Sequence, residues 1–200
     1  MNDFESNNNL SDTPMRDVGW NIAITFIVLF FLATLVSQIP KKKEENQIKI
    51  WGDIMITIEW PDKKDIDVDL WAKSPDDPLP VGYSRTRGST LALLKDITGL
   101  NNNPTGRMRE VIFGDGTPDG RYTVNVHLYR NASSLTNVPV DAKIFMVDGS
   151  NVVKIVKKRV FLKNVRDEIT IANFNLKGGK LLGKPDDKYV PLRVVTGGGP

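Results

Sequence analysis

Asp65, Asp67 and Asp69 stand at every second position of the stretch DIDVDLWAKSPDD (residues 65–77), with Ile66, Val68 and Leu70 between them. Successive side chains of a strand alternate between faces, so the three carboxylates share one side at spacings of about 7 Å. Three readings suit such a row. Calcium takes roughly six to eight oxygens, and the row can supply some of them together with Asp76, Asp77 or loop carbonyls. The segment is not an EF-hand loop, because no glycine and distal glutamate follow at the required spacing. A carboxylate pair of the glycosidase type is the second reading, but it needs one acid buried enough to keep its proton, and nothing in the sequence marks one. The third is a solvated strand face with its charges balanced by Lys63, Lys64 or Arg121. The solvated face is the plainest expectation, calcium the next, and the carboxylate pair the last.

The rest of the chemical inventory is narrow. The 200 residues contain no cysteine and one histidine, His127, so thiolate metal sites, disulfides and a two-histidine site are excluded. No Gly-x-Ser-x-Gly elbow, phosphate loop or dinucleotide fingerprint occurs, and the expectation is a chain that is not an enzyme. With 27 basic against 24 acidic residues, and no long basic stripe, nucleic acid is not an expected partner. Tyr83, Arg85 and Arg87 lie in a segment, 81–110, that reads as one long loop. Loops on a β scaffold carry recognition, so these three are the candidate partner-binding residues; the alternative is a loop that covers a sheet edge.

These side chains must be positioned by strands. From about residue 50 the sequence breaks into short β-branched and aromatic runs separated by turn signals, with strands expected at 52–60, 66–73, 107–113, 121–130, 138–147, 152–162, 166–175 and 188–195. The run RYTVNVHLYR alternates cleanly. Tyr122, Val124, Val126 and Leu128 should face the core, and Thr123, Asn125, His127 and Tyr129 the other side. GDGTPDG (114–120) supplies the turn before it, and DGSN (148–151) should close a hairpin. The fold class is therefore all-β, an antiparallel β-sandwich of about eight strands over residues 50–200.

Ahead of this domain, the 21 residues from Gly19 to Ile39 carry no charge, enough at about 1.5 Å per residue to cross a bilayer core of about 30 Å. The acidic leader and the poor cleavage site at 37–40 favour an uncleaved anchor over a signal peptide. The expected organisation is a short acidic tail (1–17), a transmembrane helix (18–39), a polar linker (40–49) and the β domain. Asp17, Asn21 and Thr25 fall along one side of the helix, where polar groups tend to face a partner helix or a water-filled path. Lys41, Lys42 and Lys43 after the helix favour a cytoplasmic β domain.

The helix, with Asp17 near its start and FIVLFFLATL at 26–35, resembles the B-subunits of ion-driven membrane motors, ExbD, TolR and MotB. That resemblance implies an ion-carrying role for Asp17 or the neighbourhood of Asn21. It also implies a second copy of the chain and a TolQ-, ExbB- or MotA-like proton channel as partners. The domain, through ITIEWPDKKDIDVDLWAKSPDD and GRYTVNVHLYRN, resembles exported β-sandwich domains of the YfaP type and, more loosely, pre-peptidase C-terminal domains. This second resemblance implies a non-enzymatic module in the bacterial envelope, on the periplasmic side of the inner membrane, with an envelope component as partner. The functional expectation is a tethered binding or structural module; the alternative is the helix-contributing subunit of an ion-driven motor.

Overall fold

The computed structural model describes residues 13–38, 52–100, 103 and 105–193 of the chain. The linker at 40–49, the first twelve residues of the tail, Asn101, Asn102 and Pro104 of the loop, and residues 194–195 of the last expected strand lie outside the described residues. The chain divides into two compact bodies, residues 1–47 and 48–200.

In the first body, α1 runs from Thr13 to Gln38. It contains a 19-residue window, Asp17–Leu35, with mean hydropathy 2.2, so the helix is long and apolar enough to cross a membrane. Its apolar side chains are exposed all round, Trp20, Phe26 and Phe30 among them. A helix apolar on every side has no water-facing stripe, which separates it from the amphipathic helices of globular surfaces. The helix begins earlier than the apolar run does, so Asp17 is helical and sits one turn before Asn21.

The second body is a two-sheet antiparallel β-sandwich. Its nine strands are β1 (Ile54–Glu59), β2 (Ile66–Lys73), β3 (Leu91–Leu93), β4 (Arg109–Gly114), β5 (Gly120–Asn131), β6 (Val138–Asp148), β7 (Asn151–Leu162), β8 (Glu168–Lys177) and β9 (Lys180–Asp186). Sheet A has the order β3-β4-β1-β6-β7 and sheet B the order β2-β5-β8-β9. Period-two alternation sends Ile54, Ile56 and Ile58 from β1, Val68 and Leu70 from β2, and Val124, Val126 and Leu128 from β5 into one core, each fully buried. Tyr122 stacks on Phe174 at 5.1 Å, and its hydroxyl donates to the Pro118 carbonyl at 3.0 Å. The Gly149–Ser150 turn joins β6 to β7 with Asp148 opposite Asn151, closing the hairpin read from DGSN.

Two strands arise where none was expected, and among the described residues the strand expected at 188–195 is absent over 188–193. β3 lies inside the 81–110 segment and covers the β4 edge of sheet A, so that segment is partly sheet and not one long loop. β9 forms despite Gly183 and Pro185, as an edge strand paired only through β8. Residues 187–193 take no part in either sheet: their backbone bonds go to side chains of sheet B. Pro191 has no N–H to give to a ladder, and the segment crosses the sheet's outer face instead of extending its edge.

Candidate functional site

The aspartate row is not a solvated face. Asp67 and Asp69 are each 3% exposed, and only Asp65 reaches solvent appreciably. Their partners are also different from the lysines near in sequence. Asp65 accepts two bonds from Arg130, both 2.8 Å, and this bidentate pair, with the Leu100 N–H, holds its carboxyl below the usual range. Asp69 Oδ2 lies 2.8 Å from His127 Nδ1, its cross-strand neighbour. Asp67 Oδ1 is buried without a hydrogen-bond partner. Burial, then repulsion by Asp69 and Asp96, pushes the Asp67 carboxyl up to about 7.

The cover over this row comes from distant residues. β2 is an edge strand, and its free side is closed by Val81, which exchanges two backbone bonds with Ala72, and by Glu110 of β4. Glu110 is 1% exposed; Oε2 accepts from Leu70 N at 2.8 Å and Oε1 from Ile97 N at 3.0 Å. Its carboxyl thus stands where a neighbouring strand would put a carbonyl. Burial raises its pKa well above the ordinary value despite those two N–H groups, and repulsion from Asp69 and Asp96 adds to the shift. Asp96 is raised likewise by burial, offset in part by a hydrogen bond with Glu110. No signal in the sequence singled out Glu110 or Asp96, because neither alternation nor spacing says which acid points inward.

This is a cluster of acids without convergence on a cation. Among the described residues no group of three or more His, Asp or Glu side chains is gathered so as to hold a metal ion. Asp77, considered as a further oxygen donor, is occupied otherwise: Arg85 Nη2 at 2.8 Å, Ser74 Oγ at 3.0 Å and Ser89 N at 3.0 Å all donate to it. Burial alone would raise its pKa, but these donors outweigh it and hold the group at about 2. Asp76 accepts from Thr90 Oγ1 at 2.6 Å.

On the outer face of sheet B the register builds a grid of three rows. Lys73, Thr123 and Asn173 form one, Trp71, Asn125 and Thr170 the next, and Asp69, His127 and Glu168 the third. Residues 187–193 lie over the β5 and β8 columns, which is why Asn125, His127, Thr170 and Asn173 are all at most 2% exposed. Arg193 Nη1 meets His127 Nε2 at 3.1 Å. A guanidinium only donates, so Nε2 accepts and the proton of His127 sits on Nδ1, donated to Asp69. The imidazole is thus fixed between Asp69 and Arg193, a buried hydrogen-bonded histidine with both nitrogens engaged.

The expected partner-binding residues divide. Arg85 is held by Asp77 and by the Leu79 carbonyl at 2.7 Å, so it anchors its loop. Tyr83 and Arg87 are exposed. Tyr83 is 44% exposed and meets the buried Trp71 edge-on at 5.3 Å, while Tyr129, 52% exposed, lies 6.3 Å from Tyr83. Gly82 makes the contact close, since a Cβ there would fall 2.5 Å from the Trp71 ring. The result is an exposed tyrosine seated on a buried indole, with a second exposed tyrosine beside it. In α1, Thr25 Oγ1 donates to the Asn21 carbonyl at 2.8 Å, so its hydroxyl is satisfied within its own helix. The two most distinct clefts lie away from all these groups, one of ≈ 270 Å³ beside Lys143 and Lys157 and one of ≈ 420 Å³ beside Trp60 and Arg107. No protein-family model matches the chain, and no curated protein or solved structure matches it.

Proposed function

We propose that the chain is a single-pass membrane protein whose β-sandwich acts as a tethered binding or structural module. The observation that carries the reading is α1, whose 19-residue span Asp17–Leu35 has mean hydropathy 2.2 and is long and apolar enough to cross a bilayer. The display surface is Tyr83 on Trp71 with Tyr129 beside it, and with Arg87 in the same segment as Tyr83. Exposed aromatics on a rigid base supply contact area with little ordering entropy, the property that marks binding hot spots.

Alkaline carbonate extraction of membranes leaves the full chain in the pellet on this reading; release into the supernatant overturns the anchor. A photo-crosslinking residue at Tyr83 or Tyr129 captures a partner in intact membranes, whereas one at Val152 on β7 does not. Equal labelling from all three positions removes the display surface. Because the chain lacks cysteine, Ser150→Cys with a membrane-impermeant maleimide tells a periplasmic domain from a cytoplasmic one.

The alternative, a helix-contributing subunit of an ion-driven motor, draws support from the alignment of Asp17 and Asn21 on one side of α1. Asp17 is the group on that side able to load and release a proton. Asp17→Asn then abolishes motor-dependent behaviour and leaves insertion intact. Unchanged behaviour leaves the anchor.

A further inference from the structure

We propose that the outer face of sheet B over β5 and β8 is a groove that takes an extended peptide segment by its backbone, with residues 188–193 as its resident occupant. The incoming segment has the same chemistry, an extended chain with an aliphatic residue followed by arginine, carried by another polypeptide. This deepens the binding reading above and rests on it.

Side chains of the groove meet the occupant's main chain at five places. Asn173 Nδ2 donates to the Lys188 carbonyl at 2.8 Å and Asn125 Nδ2 to the Val190 carbonyl at 2.8 Å. Val190 N donates to Thr170 Oγ1 at 3.0 Å, and Leu192 N and Arg193 N donate to Glu168 Oε1 at 2.9 and 3.2 Å. Main-chain groups are common to every residue except for the proline N–H, so this mode of holding is tolerant of sequence. Side-chain contacts are made at three positions. Leu192 is 5% exposed, Arg193 reaches His127, and the Tyr189 hydroxyl donates to Glu168 Oε2 at 3.2 Å from a ring that is 55% exposed, whereas Pro191 faces solvent.

Two observations separate this from a fixed part of the sandwich. The segment shares no strand ladder with either sheet, and of its residues 188–193 only Leu192 is buried, so its hold is light beside that of the strands. The groove also keeps capacity that its resident does not use. Asn125 is fully buried, yet its Oδ1 has no partner, while its Nδ2 is committed to Glu168 and Val190. The resident residue after Val190 is Pro191, which has no N–H; an occupant with an ordinary residue there brings a donor that the resident lacks.

The test uses the full chain with Leu192→Ser and Arg193→Ala, and a fluorescein-labelled peptide Asp-Lys-Tyr-Val-Pro-Leu-Arg read by anisotropy. Saturable binding is expected in the loosened protein, and binding about tenfold or more weaker in the wild type, where the tethered segment competes. Adding Asn125→Ala and Thr170→Val to the loosened protein weakens the peptide by about tenfold or more. A loosened protein that folds and fails to bind, or binds regardless of Asn125 and Thr170, overturns the proposal. If that variant does not fold, hydrogen exchange of the wild type decides: the Val190 and Leu192 amides must exchange far faster than those of β5. Exchange only with global unfolding overturns the groove. Peptide binding does not involve Tyr83 crosslinking, so the failure of one is distinguishable from the failure of the other.

Discussion

β2 and β7 are both edge strands, one closing each sheet, and they meet the hazard of an unpaired edge in opposite ways. β7 and the turn after it, residues 151–166, carry four lysines and two arginines and no acid. Of these, Lys158 pairs with Asp187 and Arg159 with Asp141, and the strand remains largely open to water. Exposed cations along the free side disfavour pairing with a second copy. β2 is buried along nearly its whole length, and its free side is closed by a peptide segment at Val81 and by the Glu110 carboxyl. An edge strand with acidic residues at every second position can therefore be buried while a basic one stays open to water, because cover decides burial.

Four measurements sharpen or break that contrast. The largest effect belongs to Glu110→Ala, which strands the Leu70 and Ile97 N–H groups and leaves a void; urea unfolding followed by circular dichroism should show a loss of about 3 to 5 kcal/mol. Glu110→Gln keeps one acceptor oxygen and should lose less. Equal losses would mean that the paired acceptors, not the volume of the side chain, close the β2 edge. Next comes Asp77→Ala, which frees Arg85, Ser74 and the Ser89 amide at once and should remove about 2 to 3 kcal/mol, with new protease sensitivity between residues 78 and 90.

The third concerns pH. Asp67, Asp96 and Glu110 bind protons more tightly folded than unfolded. The stability contributed by Asp67 is complete below its unfolded value of 3.8 and lost as pH rises through about 7. Asp77 acts oppositely, stabilising above 3.8 and losing that as pH falls toward about 2. The domain should thus be firmer near pH 5 than at pH 8. Asp67→Asn should recover about 1 to 2 kcal/mol at pH 8 with little change at pH 5. A flat profile in the wild type would place those acids in water. The smallest effect is expected on β7: Lys157→Gln should move the unfolding midpoint by less than about 0.5 kcal/mol, and a larger loss would show that this edge is covered too.

Local patterns carried most of the fold into the sequence. The alternation at 121–130 placed Tyr122, Val124, Val126 and Leu128 in the core, where all four are buried, and a charge-free run of 21 residues marked α1. What failed was the environment of the polar face. Strand periodicity separates Asp67 and Asp69 from Ile66 and Val68 but cannot report what lies above them, and their neighbours Asp96 and Glu110 are some thirty to forty residues away along the chain. The 188–195 reading failed for a related reason. KYVPLR contains a strand-like run, yet its hydrogen bonds go to Asn125, Glu168, Thr170 and Asn173, a choice made by sheet B and not by the segment. The three-residue β3 is too short for any periodicity to register.

The placement of the indoles gives the molecule a built-in optical division. Trp60 lies in the core of the sandwich, donating to the Ile66 carbonyl at 3.1 Å, and Trp71 is buried on the outer face of sheet B, edge-on to Tyr83, while Trp20 projects from the apolar helix. Emission from the sandwich pair should be blue-shifted and slow to meet aqueous quenchers. Trp20 should respond to brominated lipid and to nothing that unfolds the domain. Trp20→Phe combined with Trp51→Phe leaves Trp60 and Trp71 as the indoles of the full chain, and Trp71→Phe darkens the base beneath Tyr83. A ligand settling on Tyr83 and Tyr129 would therefore announce itself in the ultraviolet without any added label.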